Sequence, residues 1–241
     1  LFRIIPLEKD LWAINEIDKT VMYVINGTER ALLLDTGLGL TDLKEEVLKL
    51  CGEKSLIVVN THAHVDHSGL LPLLYARGFR GQIYTTDATA DLCSIMLRDC
   101  AHIQSAEAEW KNRKAKRSAN NAVVEPLYTM EDADGVIRRF VPCHYNTIVE
   151  VCEGVKIRFT DIGHLLGSAS IEVWLTEDGN TKKIVFSGDI GNKHQPLLKD
   201  PTPTKEADYV VMESTYGDRL HPKDKLDYVA ELTKVLQETL D

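Results

Sequence analysis

The segment 60–67 constrains this chain more than any other, because it places three histidines and one aspartate within six residues: His62, His64, Asp66 and His67. It follows residues 56–59, a short β-branched apolar run that predicts a buried strand. Alternate side chains near a strand end point the same way, so His62 and His64 can bind one metal ion. Asp66 and His67 lie on the following turn and can reach a second ion.

Imidazole and carboxylate ligands favour zinc, with manganese or iron as competitors. The alternative is that these are ordinary loop histidines. In a chain with eight histidines, chance gives roughly 0.0007 such clusters, so we favour the metal site. The cluster alone does not identify a substrate.

Composition excludes several classes of protein. A chain of 241 residues can bury one core and is most simply one domain. No apolar run approaches the roughly 20 residues that span a bilayer, and no secretory signal precedes the fold. Five cysteines without a C-x-x-C pair argue against structural zinc or a disulfide framework, and they favour free thiols in a reducing cytoplasm. A net charge of −9 argues against a broadly basic surface but allows a local positive groove.

The first 36 residues predict a β-meander of four strands, with Asn26-Gly27 as a hairpin turn. The last of these strands ends at Asp35, and a carboxylate is costly there unless it is paired. Asp35 could cap the following helix. The interpretation that we favour is that Asp35 orients a ligand histidine or a metal-bound water.

Helical spacing is found at 41–50, 70–77 and 87–98, and strands are predicted at 82–85, 147–152, 155–162, 171–175, 183–186 and 209–212. Residues 100–147 are interpreted as a polar insertion whose first half is a predicted helix at 105–117. That half carries five cations: Lys111, Arg113, Lys114, Lys116 and Arg117. A solvated helix face is the plainer interpretation, and a phosphate-steering patch beside the active site is the alternative. We interpret His102 and His144 as structural.

Two strand ends in the second half carry further candidate ligands. The strand at 155–162 leads into His164, which would add the third neutral ligand that His62 and His64 lack. The strand at 183–186 leads into Asp189, which lies between glycines, as a bridging carboxylate would require. Glu213 follows the strand at 209–212.

The pattern H-x-H-x-D-H resembles the signature of the metallo-β-lactamase superfamily. That resemblance implies an α/β fold, the αββα sandwich, and a hydrolytic centre with two metal ions. Three further segments resemble the β-CASP branch of the superfamily, which includes the pre-mRNA 3′-end cleavage endonuclease: G-H-L-L-G-S-A at 163–169, S-G-D at 187–189 and E-S-T-Y-G at 213–217. Residues 1–40 look equally like the small-molecule hydrolases of the superfamily.

Carried over by position, the resemblance implies that His62, His64 and His164 hold one zinc ion. Asp66, His67 and Asp189 would hold a second zinc ion, with Asp189 bridging the two ions. Manganese is the alternative metal at this second site. Asp66 would also hold the nucleophilic water, and Asp35 and Glu213 match the two supporting acids of the family. The implied reaction is the cleavage of RNA by attack of a metal-bound hydroxide on phosphorus.

The family inserts a β-CASP domain after E-S-T-Y-G, and histidines in and beyond it assist catalysis and complete the second metal site. Here Pro222 begins a predicted helix, and no histidine follows His221. We therefore expect a metallo-β-lactamase-like domain at 1–221 that is incomplete at its C-terminus, and a helix at 222–241 leading into a β-CASP domain outside this chain. Such a segment would be weakly active or inactive alone, and its exposed apolar surface would favour a homo-oligomer.

Two other functions compete with the RNA-cleaving enzyme. A hydrolase of a small ester, thioester or lactone would share every metal ligand, but the Glu213 motif and the 100–147 segment argue against it. A non-catalytic scaffold subunit ranks last, because this chain keeps all six candidate ligands.

Overall fold

The chain folds into two stacked β-sheets with helices against one of them. The computed structural model describes residues 2–17, 20–38, 43–117, 123–218, 220 and 227–240. A seven-stranded sheet has the spatial order β1 (Phe2–Glu8), β2 (Leu11–Glu16), β3 (Thr20–Asn26), β4 (Arg30–Leu34), β5 (Ser55–Val59), β6 (Ile83–Thr86) and β7 (Phe140–Cys143). A five-stranded sheet contains β8 (Ile148–Cys152), β9 (Val155–Asp161), β10 (Ala169–Glu177), β11 (Asn180–Phe186) and β12 (Tyr209–Val211), paired in that order.

Six helices are described: α1 (Leu43–Cys51), α2 (Val65–Ser68), α3 (Leu71–Ala76), α4 (Asp87–Arg117), α5 (Met130–Ile137) and α6 (Tyr228–Leu240). The predicted α/β sandwich is confirmed in its helix–sheet–sheet layers. Within the described ranges, no helix layer covers the outer face of the five-stranded sheet. None of the described helices is both long and apolar enough to cross a membrane.

Side-chain alternation along the central strands builds two cores. Leu33 and Val58, which are register partners, face the helices and are fully buried. Their neighbours Leu34 and Val59 point to the opposite face, where they pack against the second sheet beside Phe159. Because both faces of β4 and β5 are covered, these strands are continuously apolar, which is why the sequence identified them readily.

The interval 100–147 is not set apart from the sandwich, in contrast to the predicted polar insertion. The two helices predicted at 87–98 and 105–117 are one continuous helix, α4. Its buried face continues through Ala101 and Ala108, and small residues give little hydrophobic periodicity. Farther on, β7 joins the first sheet parallel to β6. Pro142 hid this strand from sequence analysis, but a proline is tolerated there because β7 is the edge strand.

The helix predicted from Pro222 is described from Tyr228 onwards as α6, and its predicted first residues, 222–226, lie outside the described residues. Four apolar side chains recur along one face of α6, and all are exposed: Val229, Leu232, Leu236 and Leu240. We expect this face to drive concentration-dependent self-association. Sedimentation at several concentrations tests this, with Leu232→Glu as the variant that should stay monomeric. A wild-type chain that sediments as a monomer at every concentration would contradict the prediction.

The outer face of the second sheet contains a buried carboxylate. Glu172 on β10 has 1% side-chain exposure, and it accepts a hydrogen bond from Arg158 on β9. Its Oε1 lies 2.5 Å from Lys183 Nζ on β11. Burial raises the pKa of Glu172, but the two cations outweigh burial and hold that pKa below its usual value.

A lowered carboxyl pKa stabilises the folded state above the unfolded pKa, and this contribution is lost as pH falls through the folded pKa. We expect Glu172→Gln to cost about 3 kcal/mol of unfolding free energy at neutral pH, because two cations lose their counter-charge. The difference from wild type should shrink as pH falls below about 4.5. Urea unfolding of both proteins across that pH range measures it, and a pH-independent difference would contradict this account.

Candidate metal centre

One edge of the sandwich carries every residue that the sequence analysis put forward as a metal ligand. The parallel strands β4, β5 and β6 end at this edge, so the loops that follow them start there. The loop after β9 reaches the same edge, where Ala169 N donates to Thr61 O at 3.0 Å. Residues 187–189, which follow β11, complete the set. Both sheets therefore contribute side chains to one site.

Three histidines and an aspartate converge there: His62, His64, His164 and Asp189. One ligand atom from each lies within 4.8 Å of the other three. His64 Nδ1 and His164 Nε2 are 3.3 Å apart, and Asp189 Oδ2 lies 3.6 Å from His164 Nε2 and 3.7 Å from His62 Nε2. Four ligand atoms about 2.0 Å from a tetrahedral zinc ion lie about 3.3 Å from one another. The cluster therefore has the dimensions of a metal site.

His62 supplies the chemical test of that interpretation. Its side chain is 1% exposed, and its Nε2 has no hydrogen-bond partner among the residues that the structure describes. Nδ1 of the same ring lies 2.9 Å from Thr61 Oγ1. Burial, together with the nearby charge of His67, lowers the pKa of His62 to about 2, so the ring is neutral. A buried, neutral nitrogen without a partner, facing two other histidines, fits a bound cation.

A second group lies beside the first and is organised by Asp35. Asp35 Oδ2 accepts from His67 Nδ1 at 2.8 Å and from Thr61 Oγ1 at 2.7 Å. Its Oδ1 accepts from Asn60 Nδ2 and from Thr61 N, both at 2.8 Å. Burial opposes protonation of His67, but the Asp35 carboxylate outweighs it and raises the pKa of His67 to about 9. The proton on His67 Nδ1 is thereby fixed, and Nε2 is directed into the site.

Asp35 does not cap a helix, because α1 begins at Leu43. Its backbone has φ +58, a left-handed conformation that is costly for a residue other than glycine. Four hydrogen bonds to the carboxylate hold it there. The Thr61 hydroxyl donates to Asp35 and can accept from His62 Nδ1, so one carboxylate sets the orientation of two histidines.

Asp189 lies between the two groups. Its Oδ2 faces His62 and His164, as given above, whereas its Oδ1 is 3.5 Å from His67 Nε2. Asp66 Oδ2 lies 3.8 Å from the same His67 nitrogen, and its side chain is 37% exposed. Burial raises the pKa of Asp189, and the neighbouring Glu213 raises it further, while His67 and His164 oppose the change.

Glu213 acts on the loop that carries Asp189. Its Oε1 accepts from Ile190 N at 2.6 Å, and its own N–H donates to Ser187 Oγ at 3.0 Å. It thus clamps both sides of Asp189. The turn also needs a residue without Cβ at Gly191, where a Cβ would lie 1.8 Å from Gly163 O.

Several supporting residues escaped sequence reasoning. Ser168 Oγ accepts from His164 N and from Leu165 N, both at 3.1 Å, and so fixes the backbone of the His164 loop. Thr86 and Thr89 both donate to Gly167 O, at 2.6 and 2.8 Å. Thr61 lies within the segment 60–67, but its role was not predicted. Short polar residues beside a ligand are the signal that could have identified them.

Several known proteins are similar to this chain in sequence or in fold. The sequence model of the metallo-β-lactamase superfamily matches residues 17–90, which include Asp35 and the whole 60–67 segment. A ribonuclease of Thermus thermophilus is 33% identical over 183 residues, which cover 76% of this chain and 37% of the relative. The transcription termination factor FttA of Thermococcus kodakarensis is 28% identical over 250 residues, covering 95% of this chain and 35% of FttA.

Residues 17–90 of the chain carry the metallo-β-lactamase superfamily match, and the similarity to the Thermus ribonuclease extends over 76% of the chain. A solved superfamily structure, the subclass B3 metallo-β-lactamase of Bradyrhizobium japonicum, has a TM-score of 0.55 at 14% identity, with 98% of this chain and 93% of that chain covered. At that identity the likeness concerns the fold. The superfamily fold and the His/Asp cluster together indicate that the protein uses a divalent metal ion. The chain spans less than two fifths of the length of the two curated relatives.

We expect His164→Ala to weaken metal binding by at least about 10–100-fold, a loss typical even of residues that only support a ligand. His164 contributes the ring nitrogen nearest to His64. Elemental analysis and zinc titration measure the effect. His102→Ala, which removes an exposed histidine of α4, is the matched control. Equal metal content in wild type and His164→Ala would remove His164 from the ligand set.

Proposed function

We propose that this chain supplies the catalytic centre of a metal-dependent ribonuclease. His62, His64 and His164 would hold one zinc ion. Asp66 and His67 would hold a second, in a site that manganese could also fill because it is richer in oxygen ligands. Asp189 would be shared between the two.

The position of Asp189 carries the proposal of two ions. One of its oxygens faces two histidines of the first group, and the other faces His67. A carboxylate placed in this way can bridge a pair of ions, and such pairs are used to displace phosphate esters. The proposal includes the assignment of residues 1–221 to one metallo-β-lactamase-like domain.

Bound divalent ions would act as Lewis acids and make a nucleophilic water available near neutral pH. The residues of this chain orient the metal ligands and the attacking water. Asp35 and Thr61 fix which nitrogens of His67 and His62 face the site, so the ligands are preorganised before substrate arrives. Asp66, whose carboxylate is partly exposed, can accept a hydrogen bond from the attacking water and orient it towards phosphorus.

The choice of RNA as substrate is supported by the relative named ribonuclease and by the three β-CASP-like segments around His164, Asp189 and Glu213. The lactamases among the solved structures support the fold alone. A small-ester or lactone hydrolase is therefore an outcome to test.

The test compares three substrates with the full-length protein that carries this chain: a labelled single-stranded RNA, bis(p-nitrophenyl) phosphate and nitrocefin. We expect chelator-sensitive cleavage of RNA and of the activated phosphodiester, restored by zinc or manganese, and no hydrolysis of nitrocefin. Nitrocefin hydrolysis without RNA cleavage would favour the small-molecule hydrolase. Metal binding with no hydrolysis of any substrate would favour a scaffold.

A further inference from the structure

Helix α4 is longer than the core that it covers. Its 31 residues span about 45 Å at 1.5 Å per residue, yet its last buried side chain is Ala108. Residues 109–117, here called the α4 arm, extend beyond that point. The structure therefore holds a helical projection that the sandwich does not require.

The α4 arm is held in place by the chain that returns along it. Asn112 Nδ2 donates to Val124 O at 2.9 Å, and Val124 N donates to Asn112 Oδ1 at 2.8 Å. Closer to the core, Gln104 Oε1 accepts from Leu127 N at 3.2 Å. These contacts support the arm as an ordered surface.

The charge of the α4 arm opposes that of the whole chain. It carries five cations and one acid, Glu109, for a net charge of +4, whereas the chain carries −9. Two of the cations form exposed i,i+4 pairs, Lys111 with Glu107 and Arg113 with Glu109, each at 3.5 Å. Exposed pairs of this kind contribute little, so the arm attracts anions.

An exposed aromatic ring accompanies the cations. Trp110 is 56% exposed, and Lys114 Nζ lies 5.2 Å from the centroid of its ring. Ile103 is 47% exposed and lies about two turns earlier on the same side of the helix. A tryptophan among cations can stack on an unpaired base while the cations contact the phosphates, which is how sequence-tolerant single-strand binding surfaces are built.

The α4 arm is distant from the metal centre. The helix begins at Asp87, next to the Thr86 and Thr89 hydroxyls that hold Gly167 O in the His164 loop. Its basic end lies about 45 Å farther along the axis. The alternative interpretation of these cations, a phosphate-steering patch beside the active site, is therefore wrong in its location. A stacked strand with about 3.4 Å per nucleotide needs about 13 nucleotides to connect the two places.

We propose that the α4 arm binds single-stranded RNA at a distance from the metal centre, so that long substrates are held at two places. This inference rests on the proposed function for its choice of RNA. An acidic protein surface is the alternative partner. RNA is favoured because an exposed tryptophan is useful for stacking on bases, whereas a protein carboxylate needs only the cations.

The test measures RNA binding by the full-length protein in excess chelator, which prevents cleavage. The arm variant carries Lys114→Gln, Lys116→Gln and Arg117→Gln, and a second variant carries Trp110→Ala. The control variant removes three exposed, paired lysines from other surfaces: Lys49→Gln, Lys156→Gln and Lys182→Gln. Arm and control variants therefore have the same net charge.

For an oligoadenylate of about 25 nucleotides, three lost phosphate contacts should reduce the salt dependence of log K by about 2. Trp110→Ala should weaken the same binding by about tenfold. An oligoadenylate of about six nucleotides is too short to connect the two places, so the affinity advantage of the longer RNA over this short one should be smaller in the arm variant than in the wild type. Hydrolysis of bis(p-nitrophenyl) phosphate after metal is restored should be unchanged.

Equal losses in the arm and control variants would overturn the inference, because the effect would then be general charge. Unchanged RNA binding with a loss of binding to polyglutamate would overturn it in favour of an acidic protein partner. The wild-type protein could also bind RNA through the α4 arm and yet cleave no RNA. That result would support the inference about the arm and would contradict the proposed ribonuclease activity.

Discussion

Asp189→Asn is expected to reduce metal-dependent RNA cleavage on the order of 10³-fold or more, the largest effect of any single substitution considered for this site. Asparagine keeps the shape of the side chain but replaces one ligand oxygen by an amide nitrogen that cannot bind a cation. It also removes the negative charge that faces both histidine groups. Both ions would therefore bind more weakly, and the geometry between them would be lost.

The measurement pairs RNA cleavage with zinc titration, so that lost chemistry and lost metal are read separately. Asp208→Asn is the matched control, since Asp208 is an exposed aspartate that pairs with Lys182 next to the same sheet. We expect the control to cleave RNA at the wild-type rate. Cleavage by Asp189→Asn within tenfold of wild type would show that this carboxylate does not join the two groups.

Asp35→Asn is expected to weaken metal binding and RNA cleavage by about 10–100-fold, although Asp35 lies behind the ligands. The reason is the direction of its hydrogen bonds. Asp35 Oδ2 accepts from both His67 Nδ1 and the Thr61 hydroxyl, and an amide NH₂ at that position would donate instead. His67 would then keep its proton on Nε2, which is the nitrogen that faces Asp66 and Asp189.

The same substitution should also affect His62. Once Thr61 Oγ1 accepts from the new amide, its hydroxyl is free to donate to His62 Nδ1, and the His62 proton moves to Nε2. Nitrogen-15 spectra of the metal-free protein at neutral pH report both changes: the His67 ring, doubly protonated in the wild type because its pKa is about 9, should become neutral with its proton on Nε2, and the His62 tautomer should switch. Asp134→Asn, in an exposed pair with Arg98, is the control. Unchanged histidine spectra together with unchanged metal affinity would contradict this hydrogen-bond link from Asp35 through Thr61 to His62.

The sequence located the metal site because its ligands are concentrated at strand ends. The continuous apolar runs of β4 and β5 identified buried strands, and periodicity of two then predicted that His62 and His64 point together. The fold was predicted from the same motif through its resemblance to a superfamily. The orienting role of Asp35 was favoured through the resemblance, because its contacts with Asn60, Thr61 and His67 are not encoded in the local sequence.

Elements held by long-range contacts were harder to predict. The continuity of α4 depends on Ala101 and Ala108 fitting against the core, and alanine carries almost no hydrophobic signal. The strand β7 depends on pairing with β6, which outweighs the local preference of Pro142. The Glu213 clamp on the Asp189 loop joins residues that become neighbours only because β11 and β12 run parallel.

The origin of the ligands in both sheets has a consequence for folding. His64 and His164 are separated by 100 positions and come from loops of different sheets, so an ion held by both is a removable cross-link between the two halves of the sandwich. At a free metal concentration about 1,000 times the dissociation constant, binding to the native state alone adds about 4 kcal/mol of stability. In a chain whose described cysteines are all free, this link can serve as a disulfide would, with the difference that the supply of metal opens and closes it.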